Sequence, residues 1–358
     1  MTRRVLVVRL DGAGDVLLAG PAVRAIAREA QVTMLCGPAG AEAARLLPGV
    51  HDVLTWSAPW VLADPPPVTD AAVATLRDAV VEGRFREAVV LTSFHQSPLP
   101  TALVLRLAGV ARISGASVDH AGALLDVRLR PGEDLDEDLP EPERALAIAA
   151  AAGFRPADDD DGRLAVRAGT APATLRRGPP YVVLHPGAAV GARRWPEGHH
   201  AVAAELLHGV GLRVVVTGGP GEQDLTARVA GRHGLDLGGR TDLAELAAIL
   251  AGASAVVVGN TGAAHLAAAV GTPVVSLFAP VVPARRWRPY RVPHVLLGDQ
   301  EAACRDSRAR DCPVSGHPCL SDVDPVQVLQ AVRRLAADPG GWAGPSENDE
   351  ARTWEVSA

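Results

Sequence analysis

The sequence predicts an α/β protein built of two units, each with a parallel sheet covered by helices. Short apolar runs alternate with longer Ala- and Leu-rich stretches along most of the chain. The short runs are continuously apolar, as expected of parallel strands that are buried on both faces. They fall into two series, and a chain of 358 residues corresponds to about two domains of ordinary size.

The candidate strands are short and rich in residues that favour extended backbone. The first series is Val5–Leu10, Val32–Cys36, Asp52–Thr55, Ala88–Leu91 and Val110–Ile113. The second series is Tyr181–Leu184, Arg213–Thr217, Ala255–Val258, Pro273–Phe278 and Val295–Leu297. Because a helical stretch separates most of these runs, the pattern is that of repeated strand–helix units.

The candidate helices lie between the strands. They include Ala22–Ala30, Val73–Val81, Glu143–Ala152, Ala201–Leu207, Leu243–Leu250 and Ala264–Ala269. A last helix is predicted over Pro325–Ala336, where Asp324 is a suitable N-cap and proline suits the first turn.

The acidic, Gly- and Pro-containing stretch from Gly153 to Pro180 is predicted to join the two units. We therefore place the first domain at residues 1–165 and the second at 166–337. Residues 338–358 are rich in Gly, Pro and Glu and carry the isolated Trp342 and Trp354. This composition predicts a mostly disordered tail.

The composition excludes several functions. All 35 basic residues are arginine, so chemistry that needs a Schiff-base or phosphate-loop lysine is excluded. The net charge of −6 and the lack of a basic run argue against nucleic-acid binding. No apolar run approaches the roughly 18 residues of a membrane-spanning helix, and no signal peptide is recognisable. We expect a cytoplasmic protein, with peripheral contact at the inner face of the membrane left open.

The four cysteines do not form a disulfide framework in so long a chain. Cys304, Cys312 and Cys319 lie near His317, but their spacing is not that of a zinc site. We favour loop packing over metal binding for this group and expect no metal and no cofactor.

The first loop with chemical potential follows the first strand and contains Gly12, Gly14 and Asp15. A dinucleotide fingerprint would need glycine where the chain has Leu17, and no acid follows at the expected distance. The loop carries two carboxylates, Asp11 and Asp15, which would repel a pyrophosphate. We therefore favour a loop that positions a carboxylate base over one that binds a phosphate. Asp15 is also a suitable helix cap, and the loop alone does not decide between base and cap.

A second loop, after the strand at Tyr181–Leu184, contains Gly187, Ala188, Arg193 and Arg194. Small residues with exposed amides and two arginines suit a phosphate, because guanidinium makes bidentate, charge-assisted bonds to it. The alternative is a solvated loop with surface arginines.

A third segment stands at another junction of strand and helix, and consists of Asn260, Thr261, Gly262, Ala263, Ala264 and His265. Free amides at a helix start make an anion site, which the helix dipole favours further. His265 on its own is more often a structural hydrogen-bonding residue. Between the second and third segments, Glu222 ends a glycine turn and is placed either to accept ribose hydroxyls or to begin a helix.

Taken together, these motifs resemble glycosyltransferase family 9, the ADP-heptose:lipopolysaccharide heptosyltransferases and their relatives. The resemblance runs from Val5 to about Leu335. It is carried by the segments Val7–Leu18, His185–Ala188, Arg193–Pro196, Gly218–Glu222, Asn260–Ala267 and His317–Leu320.

The resemblance implies a GT-B architecture of two Rossmann-like domains facing each other across a cleft, with the acceptor on the first domain and the nucleotide sugar on the second. It implies an inverting, metal-independent transfer in which Asp15 is the general base. On the donor side it implies phosphate contacts at Gly187, Ala188 and Arg193, an amide cradle at Thr261 and Gly262, a ribose contact at Glu222 and a cleft position for His265.

The resemblance leaves the donor and acceptor open. Asn260 stands where the family motif has Asp, so an ADP-linked heptose is one candidate donor rather than a settled one. A glycan or glycolipid acceptor is implied, but Ser93–Gln96 and the loop after it give no substrate signature. Two alternatives are kept: an NAD-dependent oxidoreductase, and a non-catalytic nucleotide-binding relative.

Overall fold

A computed structural model describes residues 3–337, and the predicted tail at 338–358 lies outside the described residues. The strands of the first sheet are β1 Arg4–Arg9, β2 Gln31–Cys36, β3 Val50–Thr55, β4 Glu87–Val90, β5 Arg112–Ala116 and β6 Val127–Leu129. Those of the second are β7 Tyr181–His185, β8 Arg213–Val216, β9 Leu235–Asp236, β10 Ala255–Gly259, β11 Val274–Leu277 and β12 His294–Leu297. All neighbouring strands in both sheets are parallel.

The helices lie between the strands and cover the two sheets. Those of the first half are α1 Ala13–Leu18, α2 Gly20–Ala27, α3 Ala41–Leu46, α4 Asp70–Gly83, α5 Leu99–Leu107 and α6 Glu141–Ala151. Those of the second half are α7 Ala173–Arg176, α8 Glu197–Gly209, α9 Gln223–Ala230, α10 Leu243–Ala251, α11 Gly262–Ala269, α12 Ala284–Trp287, α13 Pro318–Ser321 and α14 Pro325–Ala337. Short 3₁₀ helices occur at Pro38–Gly40, Gly122–Leu124 and Gly191–Arg193.

The two sheets have the same strand order, which confirms the α/β fold class. The first runs β3-β2-β1-β4-β5-β6 and the second β12-β11-β10-β7-β8-β9. Each is the order of a Rossmann-like sheet, in which the direction of winding reverses between the first and fourth strands. Ligands bind outside the carboxyl ends of the strands at that switch point. The loops after β1, β7 and β10 therefore lie where ligands are expected.

Every strand predicted from the sequence is present, with small differences in its bounds. The strand expected at Val110–Ile113 begins and ends later, because α5 leads into it through a turn at Gly109. Two short strands, β6 and β9, were not predicted. Each lies at one edge of its sheet and pairs with a single neighbour, so neither needs a long apolar run.

The stretch predicted to join the two units is packed rather than free. Leu164 and Leu175 are buried in a core that contains residues of both sheets. Asp160, within the acidic run, pairs with Arg24 of α2 at 2.7 Å. The division at residues 165 and 166 stays a prediction, although it does separate the strands of the two sheets.

The two halves approach each other most closely where α1 meets α11. A Cβ atom on Gly14 would lie 3.2 Å from Gly262 Cα and 3.0 Å from the ring of His265. These distances are tighter than ordinary van der Waals contact, so the close crossing of the two backbones favours glycine at position 14. Among residues 3–337, no helix combines the length and the apolar character needed to cross a membrane.

Candidate active site at the interdomain cleft

Asp15 lies at the third position of α1, at the switch point of the first sheet. The N-cap of this helix is Gly12, and no side chain forms a capping hydrogen bond there. The interpretation of Asp15 as a cap is therefore wrong. Its carboxylate is 28% exposed and turns toward β1 and the second domain.

Both hydrogen bonds to the Asp15 carboxylate that the structure describes are accepted by one oxygen. Arg9 Nη2 donates to Asp15 Oδ1 at 3.0 Å. Trp287 Nε1, at the end of α12 in the second half of the chain, donates to the same oxygen at 3.3 Å. This arrangement orients the carboxylate and leaves Oδ2 without a hydrogen-bond partner among the described residues.

Arg9 is a buried cation surrounded by carboxylates. Arg9 Nε lies 2.8 Å from Asp11 Oδ2, and Nη2 lies 3.2 Å from Glu141 Oε2 and 2.7 Å from Ser93 Oγ. Burial alone would lower the pKa of Arg9, but Asp11, Asp15 and Glu141 together raise it above its ordinary value. Burial raises the pKa of Asp11 and of Glu141, although Arg9 opposes both shifts.

Replacing Arg9 by Met is expected to lower the free energy of unfolding by about 3–5 kcal/mol, since it leaves buried carboxylates without their cation. Carboxyl groups whose pKa is raised on folding favour the folded state most at low pH, and that contribution is lost as pH rises through the folded pKa. Without Arg9 the pKa of Asp11 and of Glu141 should rise further. The loss is therefore expected to be largest near neutral pH and smaller near about pH 5. Urea denaturation at both pH values measures it.

Arg77→Met is the matched control, because Arg77 and its partner Asp78 are both exposed. Exposed pairs contribute about 0–1 kcal/mol, so this variant should unfold like the parent protein. A loss in Arg9→Met that is the same at both pH values would contradict the buried ion network as its cause.

On the second domain, around the start of α11, three buried polar atoms have no hydrogen-bond partner in the described part of the chain. They are Arg193 Nε, Thr261 Oγ1 and His265 Nδ1. Thr261 is the N-cap of α11 but makes no side-chain capping bond, and Gly262 and Ala263 are the first residues of that helix. Amide groups in a first helical turn have no partner within the helix. This arrangement is typical of a site for an anion.

The charge of this region is set by Arg193 and His265. Burial lowers the pKa of His265 to about 4 although Asp15 opposes the shift, so the imidazole is neutral near pH 7. Burial also lowers the pKa of Arg193, again against Asp15, but an arginine stays protonated in proteins. Arg193 is therefore the cation that the second domain places near Asp15, in addition to Arg9 of the first domain.

The two adjacent arginines have different positions. Arg193 Nη1 donates to the carbonyl of Asn260 at 3.2 Å, which places the guanidinium beside the start of α11. Arg194 Nε donates to the carbonyl of Ala188 at 2.8 Å and so holds the loop at Gly187 and Ala188. Arg193 therefore lies beside the anion-binding start of α11, whereas Arg194 supports the neighbouring loop.

Glu222 lies next to the same loop. It is the N-cap residue of α9, but its side chain makes no capping bond to that helix. Its Oε2 accepts from the backbone N–H of Gly219 at 2.7 Å. A Cβ atom on Gly187 would overlap the carboxylate, so the two residues are in direct contact.

The side chain of Asn260 is buried and contacts Ala279, in the loop after β11. Its Nδ2 lies 3.4 Å from the carbonyl of Ala279, and its Oδ1 lies 3.4 Å from the N–H of the same residue. An amide supplies both the donor and the acceptor that this backbone unit needs, whereas an ionised Asp has only acceptors. The contacts with Ala279 therefore explain why an amide side chain stands at position 260.

Cys304 and Cys319 are buried in the core of the second domain, and Cys312 is half-buried. The thiol of Cys312 donates to the carbonyl of Val314 at 3.3 Å. His317 Nε2 lies 3.1 Å from the carbonyl of Ala192, next to Arg193. In residues 3–337, no group of three or more His, Cys, Asp or Glu side chains is arranged to hold a metal ion.

The sequence analysis missed three residues of this site, Arg9, Glu141 and Trp287, and it named Ser93 only as part of a segment without a substrate signature. Arg9 had a signal, since it is a charged residue at the end of an otherwise apolar strand. The sequence carries no local signal for Glu141 or Trp287. Glu141 contacts Arg9, 132 positions away, and Trp287 contacts Asp15, 272 positions away.

Known proteins resemble this chain in both sequence and fold. Residues 95–316 match the profile described as glycosyltransferase family 9 (heptosyltransferase). Because the match covers more than half of the chain, the protein belongs to glycosyltransferase family 9. Lipooligosaccharide heptosyltransferase 2 of Haemophilus ducreyi is 28% identical over 168 residues, which are 44% of this chain and 48% of that protein. The chain thus spans about half the length of the curated relatives that it matches.

Solved structures support the GT-B fold. E. coli ADP-heptose LPS heptosyltransferase II has a TM-score of 0.70 and 22% identity, covering 94% of this chain and 99% of its own. E. coli heptosyltransferase WaaC with ADP has a TM-score of 0.66 and 18% identity, covering 93% and 98%. A more distant structure, the dodecameric E. coli glycosyltransferase TibC, has a TM-score of 0.55 and 14% identity, covers 94% and 77%, and is described as iron-containing.

Proposed function

We propose that this protein is a metal-independent, inverting glycosyltransferase. It moves a heptose-like sugar from a nucleotide diphosphate donor to a hydroxyl of a glycan or glycolipid acceptor. The observation that carries this proposal is the position of the Asp15 carboxylate beside the start of α11, where Arg193, Thr261 and His265 have buried polar atoms without partners. Membership of glycosyltransferase family 9 supports it.

The second domain holds the donor in this proposal. The diphosphate binds to the free amides at the start of α11 and to the guanidinium of Arg193. As the bond between the anomeric carbon and the phosphate oxygen breaks, the electron pair leaves with the nucleoside diphosphate. Preorganised N–H donors and the helix dipole stabilise the charge that develops on it. Glu222 and Gly187 lie at the edge of the same site, where a ribose contact fits.

The first domain supplies the base. Asp15 Oδ2 takes the proton of the acceptor hydroxyl while the acceptor oxygen forms its bond to the anomeric carbon. In this proposal the acceptor oxygen approaches the anomeric carbon from the side opposite the leaving group. A single displacement of this kind inverts the anomeric configuration.

The donor proposed here is an ADP-linked heptose, and the acceptor is of the lipopolysaccharide type at the inner face of the membrane. The relatives named as heptosyltransferases and the fold neighbour solved with ADP support this choice. The neutral imidazole of His265 suits a polar contact to the donor, since it carries both a hydrogen-bond donor and an acceptor.

A thermal-shift panel of nucleoside diphosphates and ADP-heptose, each with and without EDTA, tests this function. We expect ADP and ADP-heptose to raise the melting temperature and EDTA to leave the shift unchanged, since ligand binding to the folded state stabilises it. Stabilisation by another nucleotide alone would contradict the proposed donor. A shift that EDTA removes would contradict metal independence, and stabilisation by NADH alone would favour the oxidoreductase alternative.

A further inference from the structure

The hydrogen bond from Trp287 to Asp15 joins the two domains at the proposed base. We infer that Trp287 is a positioning residue, which orients the Asp15 carboxylate from the second domain. The inference rests on the proposed function, because it matters for catalysis only if Asp15 is the base. The indole Nε1 lies 3.3 Å from Asp15 Oδ1, and Trp287 is half-buried.

The indole is held in place by the contacts of its neighbours with the first domain. Arg286 Nη2 lies 3.2 Å from Glu137 Oε2, and its guanidinium is 4.3 Å from the ring centroid of Phe94. Arg285 pairs with Asp138 at 2.7 Å. The ring of Trp287 also contacts Phe94, with centroids 5.8 Å apart. Helix α12 is thus anchored on the domain that carries the base.

The geometry gives this contact a specific consequence. Arg9 and Trp287 donate to the same oxygen of Asp15, so together they fix the rotation of the carboxylate and direct Oδ2 toward the acceptor side. Arg9 belongs to the same domain as Asp15 and is present whether or not the domains meet. Trp287 is supplied by the second domain, so the base is fully oriented only where the two domains meet.

Other charged and titratable groups also face Asp15, and the test must separate them from Trp287. They are Arg9, Asp11, His95, Glu141, Arg193 and His265. Replacing Trp287 by Phe removes the N–H while keeping an aromatic ring against Phe94. Trp60→Phe is the matched control, because the Trp60 indole is also half-buried and donates to Thr101 Oγ1 at 3.0 Å rather than to Asp15.

The kinetic test follows ADP release from ADP-heptose, with water as the acceptor, across a pH series. A bond to a charged carboxylate stabilises its ionised form, so Trp287→Phe should move the acidic limb of the kcat profile to higher pH. We expect kcat to fall about ten-fold and KM for ADP-heptose to stay within about two-fold of the parent value. Trp60→Phe should change neither. An acidic limb that does not move in Trp287→Phe would overturn the inference.

A second measurement does not depend on turnover. In protein with ¹⁵N-labelled indoles, the resonance that disappears in Trp287→Phe belongs to Trp287. We expect this resonance to shift as Asp15 becomes protonated, and the shift to vanish in Asp15→Asn. A Trp287 resonance that titrates identically in Asp15→Asn would overturn the contact itself. Near-normal turnover of Asp15→Asn would instead overturn the proposed base, so the two failures are distinguishable.

Discussion

Replacing Asp15 by Asn is expected to abolish sugar transfer while the protein still binds the nucleoside diphosphate. Asparagine has nearly the same shape, and its oxygen still accepts from Arg9 and Trp287, but it cannot take the proton of the acceptor hydroxyl. General-base catalysis contributes about 10²–10⁴-fold to the rate, so we expect kcat to fall at least about 100-fold. Release of ADP from ADP-heptose measures turnover, and calorimetry measures ADP affinity.

The matched control for this variant is Asp134→Asn. Asp134 is a carboxylate of the same domain that pairs with Arg130 at the surface, and its loss should leave both turnover and ADP affinity unchanged. If Asp15→Asn retained near-normal turnover, the base would have to be another group. If it lost ADP binding as well, the substitution would have damaged the donor site rather than the chemistry alone.

Replacing Arg193 by Ala is expected to weaken ADP binding by about ten- to a hundred-fold, the loss of one charge-assisted contact to a phosphate. The guanidinium lies beside the first turn of α11 and has a buried Nε without a partner in the described residues. Arg193→Lys should recover only part of the affinity, since an ammonium cannot bind two phosphate oxygens as a planar fork. Calorimetric titration with ADP measures the affinity of the parent protein and of both variants.

Variants of two further arginines serve as controls for the ADP affinity of Arg193→Ala. Arg232→Ala removes an exposed arginine from the same domain and should not change ADP affinity, which controls for net charge. Arg194→Ala removes the bond to the Ala188 carbonyl and should have a smaller effect than Arg193→Ala. The opposite ranking of the two variants would assign the phosphate contact to Arg194.

Much of the fold was predictable from local sequence signals. Continuously apolar runs such as Val5–Leu10 and Ala255–Val258 predicted buried parallel strands, and both are central strands of their sheets. The glycine-containing loops after β1, β7 and β10 were predicted to be functional, and the structure places all three at the switch points. The signals were local because burial on both faces of a strand requires apolar residues at every position.

The contacts of the site were less predictable. The choice between base and cap for Asp15 depended on whether its side chain or Gly12 begins the helix, and the loop sequence suits both. Arg193 and Arg194 are adjacent and chemically identical, and only the course of the 3₁₀ helix at Gly191–Arg193 separates their directions. The edge strands β6 and β9 also escaped prediction, because pairing with a single neighbour makes few demands on their residues.

The sequence by itself determined the two parallel sheets, the position of the glycine loops at their carboxyl edges and the absence of any lysine from the site. These follow from residue types and from periods of a few positions along the chain. Only the tertiary structure decided that Asp15 faces the start of α11, that Arg193 rather than Arg194 lies beside it, and that Trp287 reaches Asp15 from 272 positions away. The physical reason is that these contacts join residues far apart in the chain. They depend on how the two domains pack together, which no local sequence pattern specifies.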